Sequence, residues 1–180
     1  MAKTHSTAAV IVPPHDVWRP IQLLRARYDR KIARWMPHIT MAYPFRPREE
    51  FPALAEQLRP LLATVTPFTL ELARFFFFEH GNERYTLWLS PEPRQPLFAI
   101  EAALGKVAPE CDEQSSYQFG FTPHLSIGQV QGTDKMEKLR DALQEQWEPM
   151  TFPVTELSLL WRNDEPDDVY RVGLTVPLGA

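Results

Sequence analysis

The sequence predicts an α+β fold with mixed or antiparallel sheets rather than a doubly wound parallel sheet. Three observations carry that expectation. Helical and strand-like periodicities alternate along the chain, and two pairs of strand-like runs are each separated by a short polar turn, which gives antiparallel hairpins. A Pro-His-(Ile/Leu)-(Thr/Ser) tetrapeptide also opens a strand ahead of a helix in each half, which suggests a pseudo-twofold arrangement facing one groove. The 180 residues, 44% of them hydrophobic, suit one domain of two lobes over residues 1–180.

Ser6 to Val12 is a short apolar run that reads as a buried strand, and Pro13-Pro14-His15-Asp16 is a turn whose Asp16 is placed to cap a helix. Trp18, Ile21, Leu24, Tyr28 and Ile32 then recur at three- and four-residue steps and define a helix that Pro37 stops. His38 to Phe45 alternates as a strand, with His38, Thr40 and Ala42 on one face and Ile39, Met41 and Tyr43 on the other. A second helix is expected from about Arg48 to Ala63 around the stripe Phe51, Leu54, Leu58, Leu61 and Leu62, with limits blurred by Pro52 and Pro60. Phe68 to Phe78 and Arg84 to Leu89 flank the turn His80-Gly81-Asn82-Glu83. Within the first of these strands, Phe75 to Phe78 reads as a segment covered on both sides rather than a stacking platform. A third helix fits Gln95 to Val107. Phe121 to Val130 is another alternating strand, with His124 and Ser126 on one face, and Asp134 to Gln146 reads as a fourth helix. Val154 to Trp161 and Val169 to Val176, separated by an acidic turn, close the chain as a second hairpin.

Composition excludes several classes. No stretch reaches the roughly 20 apolar residues of a membrane span, and the N-terminus does not read as a signal peptide. The single Cys111 has no partner for a disulfide or a metal knuckle, which points to a reducing cytoplasm, and its acidic neighbours Glu110, Asp112 and Glu113 disfavour a catalytic thiolate. A formal charge of −4 argues against coating long nucleic acids, although Arg19 to Arg34 is locally basic.

The chemistry lies in the paired motif. Residues i and i+2 of a strand share a face, so each motif presents one imidazole and one hydroxyl to the same side. Two such sets suit a phosphodiester. One neutral His accepts a proton from the attacking water or hydroxyl, the other donates one to the departing oxygen, and the hydroxyls bind the non-bridging oxygens. Polar side chains in otherwise apolar strands are costly unless the face is a site. No cofactor is required, and His38 and His124 have no third ligand at metal-binding spacing.

In Pro37-His38-Ile39-Thr40-Met41-Ala42 and Pro123-His124-Leu125-Ser126-Ile127-Gly128 the chain resembles the two-histidine (2H) phosphoesterase superfamily, in its 2′-5′ RNA ligase-like and cyclic phosphodiesterase branches. The opening strand ending in Pro13-Pro14, the order of elements and the closing Leu157 to Arg162 strand are similar too, so the likeness covers nearly the whole chain. The resemblance implies a bilobal fold of two pseudo-symmetric sheets flanked by helices around a central cleft. It also implies metal-independent cleavage or formation of phosphodiesters at RNA or nucleotide ends, most commonly opening of a 2′,3′-cyclic phosphate to a 2′-phosphate. Carried over, His38 and His124 are the acid–base pair, their roles unassigned, and Thr40 and Ser126 are the phosphate-binding hydroxyls.

Four further residues are candidate substrate contacts. Tyr43 follows the first motif, although alternation turns it away from His38 toward the core; Phe121 precedes His124 by three residues; Arg34 and Arg162 are sources of positive charge. His5, His15 and His80 read as solvated. The expected partner is a nucleotide or RNA terminus carrying a cyclic phosphate or 2′-5′ linkage, bound by a monomer with no membrane association. A second reading of the same cleft is a non-catalytic RNA-end or nucleotide-binding module, which turnover would exclude.

Overall fold

The computed structural model describes residues 2–180. Eight strands, β1 (Thr7–Ile11), β2 (Ile39–Ala42), β3 (Phe68–Glu79), β4 (Arg84–Glu92), β5 (Leu125–Gln131), β6 (Met150–Val154), β7 (Glu156–Trp161) and β8 (Arg171–Pro177), alternate with four helices. The helices are α1 (Trp18–Tyr28), α2 (Phe51–Leu62), α3 (Gln95–Val107) and α4 (Thr133–Gln146). The strand order is β6-β3-β4-β5-β2-β1-β7-β8 and every neighbouring pair is antiparallel. The α+β class holds. The two expected sheets are halves of one curled sheet, joined where β2 meets β5 at the registered pair Ile39↔Leu125.

The pseudo-twofold axis passes through that junction. The motif strands β2 and β5 correspond, as do their neighbours β1 and β4. The helix after each neighbour crosses to the other half: α1 packs on β5 and α3 on β2. One face of the sheet is apolar and buried. Ile39, Met41, Leu87, Leu89, Leu125, Ile127, Leu157 and Leu159 share a single core with Ile21 of α1, Leu54 and Leu58 of α2, Leu97 and Ile100 of α3 and Met136 of α4. The opposite face carries the cleft.

Several boundaries differ from expectation for identifiable reasons. Helix α1 ends at Tyr28, because Asp29 leaves helical geometry (φ −103°, ψ 109°) and gives its carboxylate to Arg25 and to the Lys31 N–H. Residues 31–34 are a turn, so the helix does not reach Pro37. Pro60 sits in the last turn of α2 and the helix runs through it. The run from Val154 to Trp161 is two strands, not one. Thr155 breaks it, and β6 pairs with β3 while β7 pairs with β1, so the ends of the sheet must curl toward each other at that residue.

α1 lies unusually close to β5. A Cβ at Gly128 would stand 2.4 Å from the Tyr28 Cβ and 2.5 Å from its carbonyl atoms. Real Cβ atoms do not tolerate that approach, and backbone cannot swing aside as a side chain can. Gly128→Ala is therefore expected to lower stability by about 1–3 kcal/mol, the range for overpacking, by pushing the end of α1 off β5. A melting temperature equal to the parent's would show that α1 is not held this tightly.

Candidate active site

The register at the junction sets the geometry. Ile39 faces Leu125 across an antiparallel pair. Carrying that pairing one residue either way brings His38 opposite Ser126 and Thr40 opposite His124. The four polar groups thus form a quadrilateral with the imidazoles on one diagonal and the hydroxyls on the other. All four line an open cleft of about 1090 Å³.

Each histidine stands just before its strand and hydrogen-bonds a carbonyl two residues back. His38 Nδ1 lies 2.8 Å from the Met36 oxygen and His124 Nδ1 lies 2.8 Å from the Thr122 oxygen. A carbonyl only accepts, so both Nδ1 atoms carry hydrogen, and in the neutral rings both Nε2 atoms are bases. The preceding prolines are buried and hold these segments against the core. Burial pushes the His38 imidazole down to about 4, helped by the Arg25 and His124 charges and opposed by the Met36 bond. Burial lowers His124 as well. Both rings are therefore neutral at pH 7 in the free protein.

Aromatic rings fix both imidazoles. Trp35 stacks on His38 (centroids 4.6 Å, 21°) and also on Tyr170 (3.6 Å, 21°). Phe78 meets His124 edge-on at 4.8 Å, and Trp88 does so at 5.8 Å. Beneath Trp35 is a buried polar network. Arg25, 2% exposed, bonds Asp29 through Nε (2.9 Å) and also donates to Gln22 and to the Trp35 carbonyl, both at 2.9 Å. Asp29 accepts from Gln129 of β5 at 3.1 Å, and Gln129 accepts from the Arg30 N–H at 3.0 Å. The segment leading to His38 is thereby tied to the strand that follows His124.

The remaining candidates divide. Tyr43 lines the cleft, contrary to the strict alternation that places it in the core. The β1–β2 register shifts between Ala9↔Ala42 and Val10↔Thr40, so Met41 is an extra residue. Met41 and Ala42 both turn inward, and Tyr43 returns to the cleft face. Arg34 lines the cleft too, but its guanidinium is held by Asp168 and Glu165. Phe121 and Arg162 do not line it. Phe121 packs against the core and meets Phe98 edge-on at 5.8 Å. Arg162 lies 5.7 Å from the Tyr170 ring and donates to the Asn163 carbonyl.

Phe75 to Phe78 is covered on one side only, not on both. Phe75 is buried, whereas Phe76 is 42% exposed on Trp88 and Phe78 faces the cleft, so an aromatic surface exists there in part. His80 also lines the cleft and bonds Thr86 at 2.7 Å. Cys111 is buried and its thiol is pushed up to about 11 by burial and by Glu110. Among the described residues, no three His, Cys, Asp or Glu side chains are grouped to hold a metal ion, and no helix is long and apolar enough to cross a membrane.

A family model for the 2′-5′ RNA ligase superfamily matches residues 13–166. The chain belongs to that superfamily. A candidate phosphoesterase of Geobacillus kaustophilus is 31% identical over 122 residues, covering 66% of each protein, so the match spans just under two thirds of that relative. Among solved structures, TT0787 of Thermus thermophilus superposes with a TM-score of 0.64 at 17% identity, over 97% of this chain and 98% of that one. Escherichia coli LigT in complex with phosphate gives 0.63 at 19% identity, over 98% and 99%. These likenesses bear out the α+β fold that the resemblance implied, here with its strands in one curled antiparallel sheet.

Proposed function

We propose that the protein is a metal-independent phosphodiesterase of RNA or nucleotide ends that opens 2′,3′-cyclic phosphates to 2′-phosphates and acts on 2′-5′ linkages through the same groups. The observation that carries this reading is the diagonal placement of two neutral imidazoles, each with a free Nε2, around a pair of hydroxyls. An in-line displacement needs its proton acceptor and proton donor on opposite sides of phosphorus, and a diagonal supplies that. Water attacks phosphorus and gives its proton to the neutral imidazole. The P–O3′ bond breaks, and O3′ takes a proton from the other imidazole, which is protonated in the complex. The two histidines end with exchanged protonation states. Thr40 and Ser126 bond the non-bridging oxygens throughout.

The protonated partner arises on binding. An anion between the rings raises their proton affinity above the depressed free values, so binding takes up a proton and tightens as pH falls through the neutral range toward about 4, the free His38 value. Sulfate, which does not itself titrate there, is the suitable probe, and calorimetry in buffers of different ionisation enthalpy should show the uptake. Binding that is indifferent to pH would contradict this step.

The reading as a whole is tested by offering nucleoside 2′,3′-cyclic phosphates and 2′-5′- and 3′-5′-linked dinucleotides side by side. Consumption of the cyclic phosphate and the 2′-5′ dinucleotide, with the 3′-5′ dinucleotide spared, is expected. No turnover of any substrate by folded protein would overturn it in favour of a binding module.

A further inference from the structure

Outside the cleft, one stretch of sheet edge is left open. β6 covers the outer side of β3 only from Phe68 to Leu72, where Leu72↔Met150 is the last registered pair. Beyond it, side chains at the end of α4 take over. Trp147 Nε1 donates to the Leu72 carbonyl at 2.9 Å, and Gln144 donates to the Ala73 carbonyl and accepts from the Phe75 N–H, both at 2.9 Å. Main-chain groups of alternate strand residues point to the same side, so the Phe75 carbonyl, both groups of Phe77 and the Glu79 N–H follow the Phe75 N–H outward. The His80 N–H, one residue on, turns inward to the Arg84 carbonyl at 2.8 Å, as that alternation requires. Among the described residues, no hydrogen bond reaches the outward groups from Phe75 O to Glu79 N.

Unmet edge groups are a template for another strand, and proteins blunt them with proline, lysine, bulges or short strands. The two end strands of the sheet are blunted. β6 is five residues long and carries Pro153, and β8 carries Gly173 and ends on Pro177. Phe75-Phe76-Phe77-Phe78-Glu79 has no such residue. Phe76, stacked on Trp88 at 5.3 Å, still leaves 42% of its surface exposed. A groove of about 280 Å³ follows this edge, with Arg74 and Phe76 of β3 facing Arg140 and Gln144 of α4.

A second copy of the same edge fits it. Antiparallel pairing about Phe77 sets that residue against itself, where the two copies exchange both main-chain bonds, and matches each Phe75 carbonyl with the other copy's Glu79 N–H. Phe76 then lies opposite Phe78 of the second copy, in the closer kind of pair, so one ring covers the other. The charges agree with that direction. The edge is positive at Arg74 and negative at Glu79, so antiparallel copies bring unlike ends together. Glu79 also falls on the face where Arg140 of the second copy stands over its own Phe77 ring at 5.5 Å. Among the described residues, Arg140 pairs only with the adjacent Asp141, at 3.1 Å, and Glu79 forms no ion pair.

We propose that the protein forms a twofold dimer through the Phe75–Glu79 edge of β3, joining the two sheets into one whose clefts open on the same face. This departs from the monomer expected from the sequence, and it is independent of the reaction assigned to the clefts.

Sedimentation velocity of the full chain tests it. At about 100 μM the protein is expected to sediment at twice its 20.8 kDa mass and to dissociate on dilution. Glu79→Pro removes an N–H that no bond within the chain uses, at an edge position where proline is tolerated. It deprives the dimer of two hydrogen bonds, so the dissociation constant should rise at least about tenfold. Phe76→Lys sets a charge against the opposing ring and should leave only monomer at the same concentration, with the far-ultraviolet spectrum of the parent. A parent that stays monomeric at about 100 μM, or a dimer that survives either substitution at parental affinity, would overturn the proposal.

Discussion

Arg25→Met is expected to destabilise the protein by about 3–5 kcal/mol, the cost of leaving one member of a buried ion pair uncompensated. Asp29 is 8% exposed and would be left without the guanidinium that now faces it. The Trp35 carbonyl would lose its donor in the same change, so the ring that stacks on His38 would lose its anchor. Denaturant unfolding measures the cost. Arg25→Met combined with Asp29→Leu should recover much of it, since a hydrophobic replacement of a whole buried pair is often neutral or better. A single variant as stable as the parent would show that the pair adds nothing to the segment between α1 and β2.

Replacing either imidazole should abolish turnover while sparing the fold. His38→Ala and His124→Ala are each expected to lower kcat on a cyclic phosphodiester by about 10²–10⁴, the usual worth of a positioned acid or base. Both rings sit at the cleft wall rather than in the core, and the Met36 and Thr122 carbonyls they release can turn to water. Unfolding curves should therefore stay close to the parent's. The double variant should fall little further than the worse single one, because the two rings act on the same proton inventory. A single variant that retains near-parental kcat would remove that histidine from the reaction.

The motif pair was legible because it depends on local geometry alone. Alternation about Pro-His places an imidazole and a hydroxyl on one face whatever the rest of the chain does, and the antiparallel junction of β2 with β5 then opposes the two sets. α3 was legible to its ends, since its apolar spacing and Pro96 in the first turn are local signals. What failed was set by distant partners. Tyr43 reaches the cleft only because pairing with β1 leaves Met41 as an extra residue. α1 stops at Tyr28 because Asp29 is taken by Arg25 and by Gln129, 100 residues on. The charge of Arg34 is claimed by the acidic turn that joins the two strands of the last hairpin. Arg25 had a weak local signal, since it falls within the α1 stripe between Ile21 and Tyr28, but only the fold reveals the carboxylate that lets it be buried there.

The most direct test of the two-histidine account is ³¹P NMR of a nucleoside 2′,3′-cyclic phosphate incubated with the purified protein in excess chelator. The account predicts that the cyclic resonance is replaced by that of the 2′-monoester alone. A cyclic resonance that persists, or turnover that stops when the chelator is added, would contradict it.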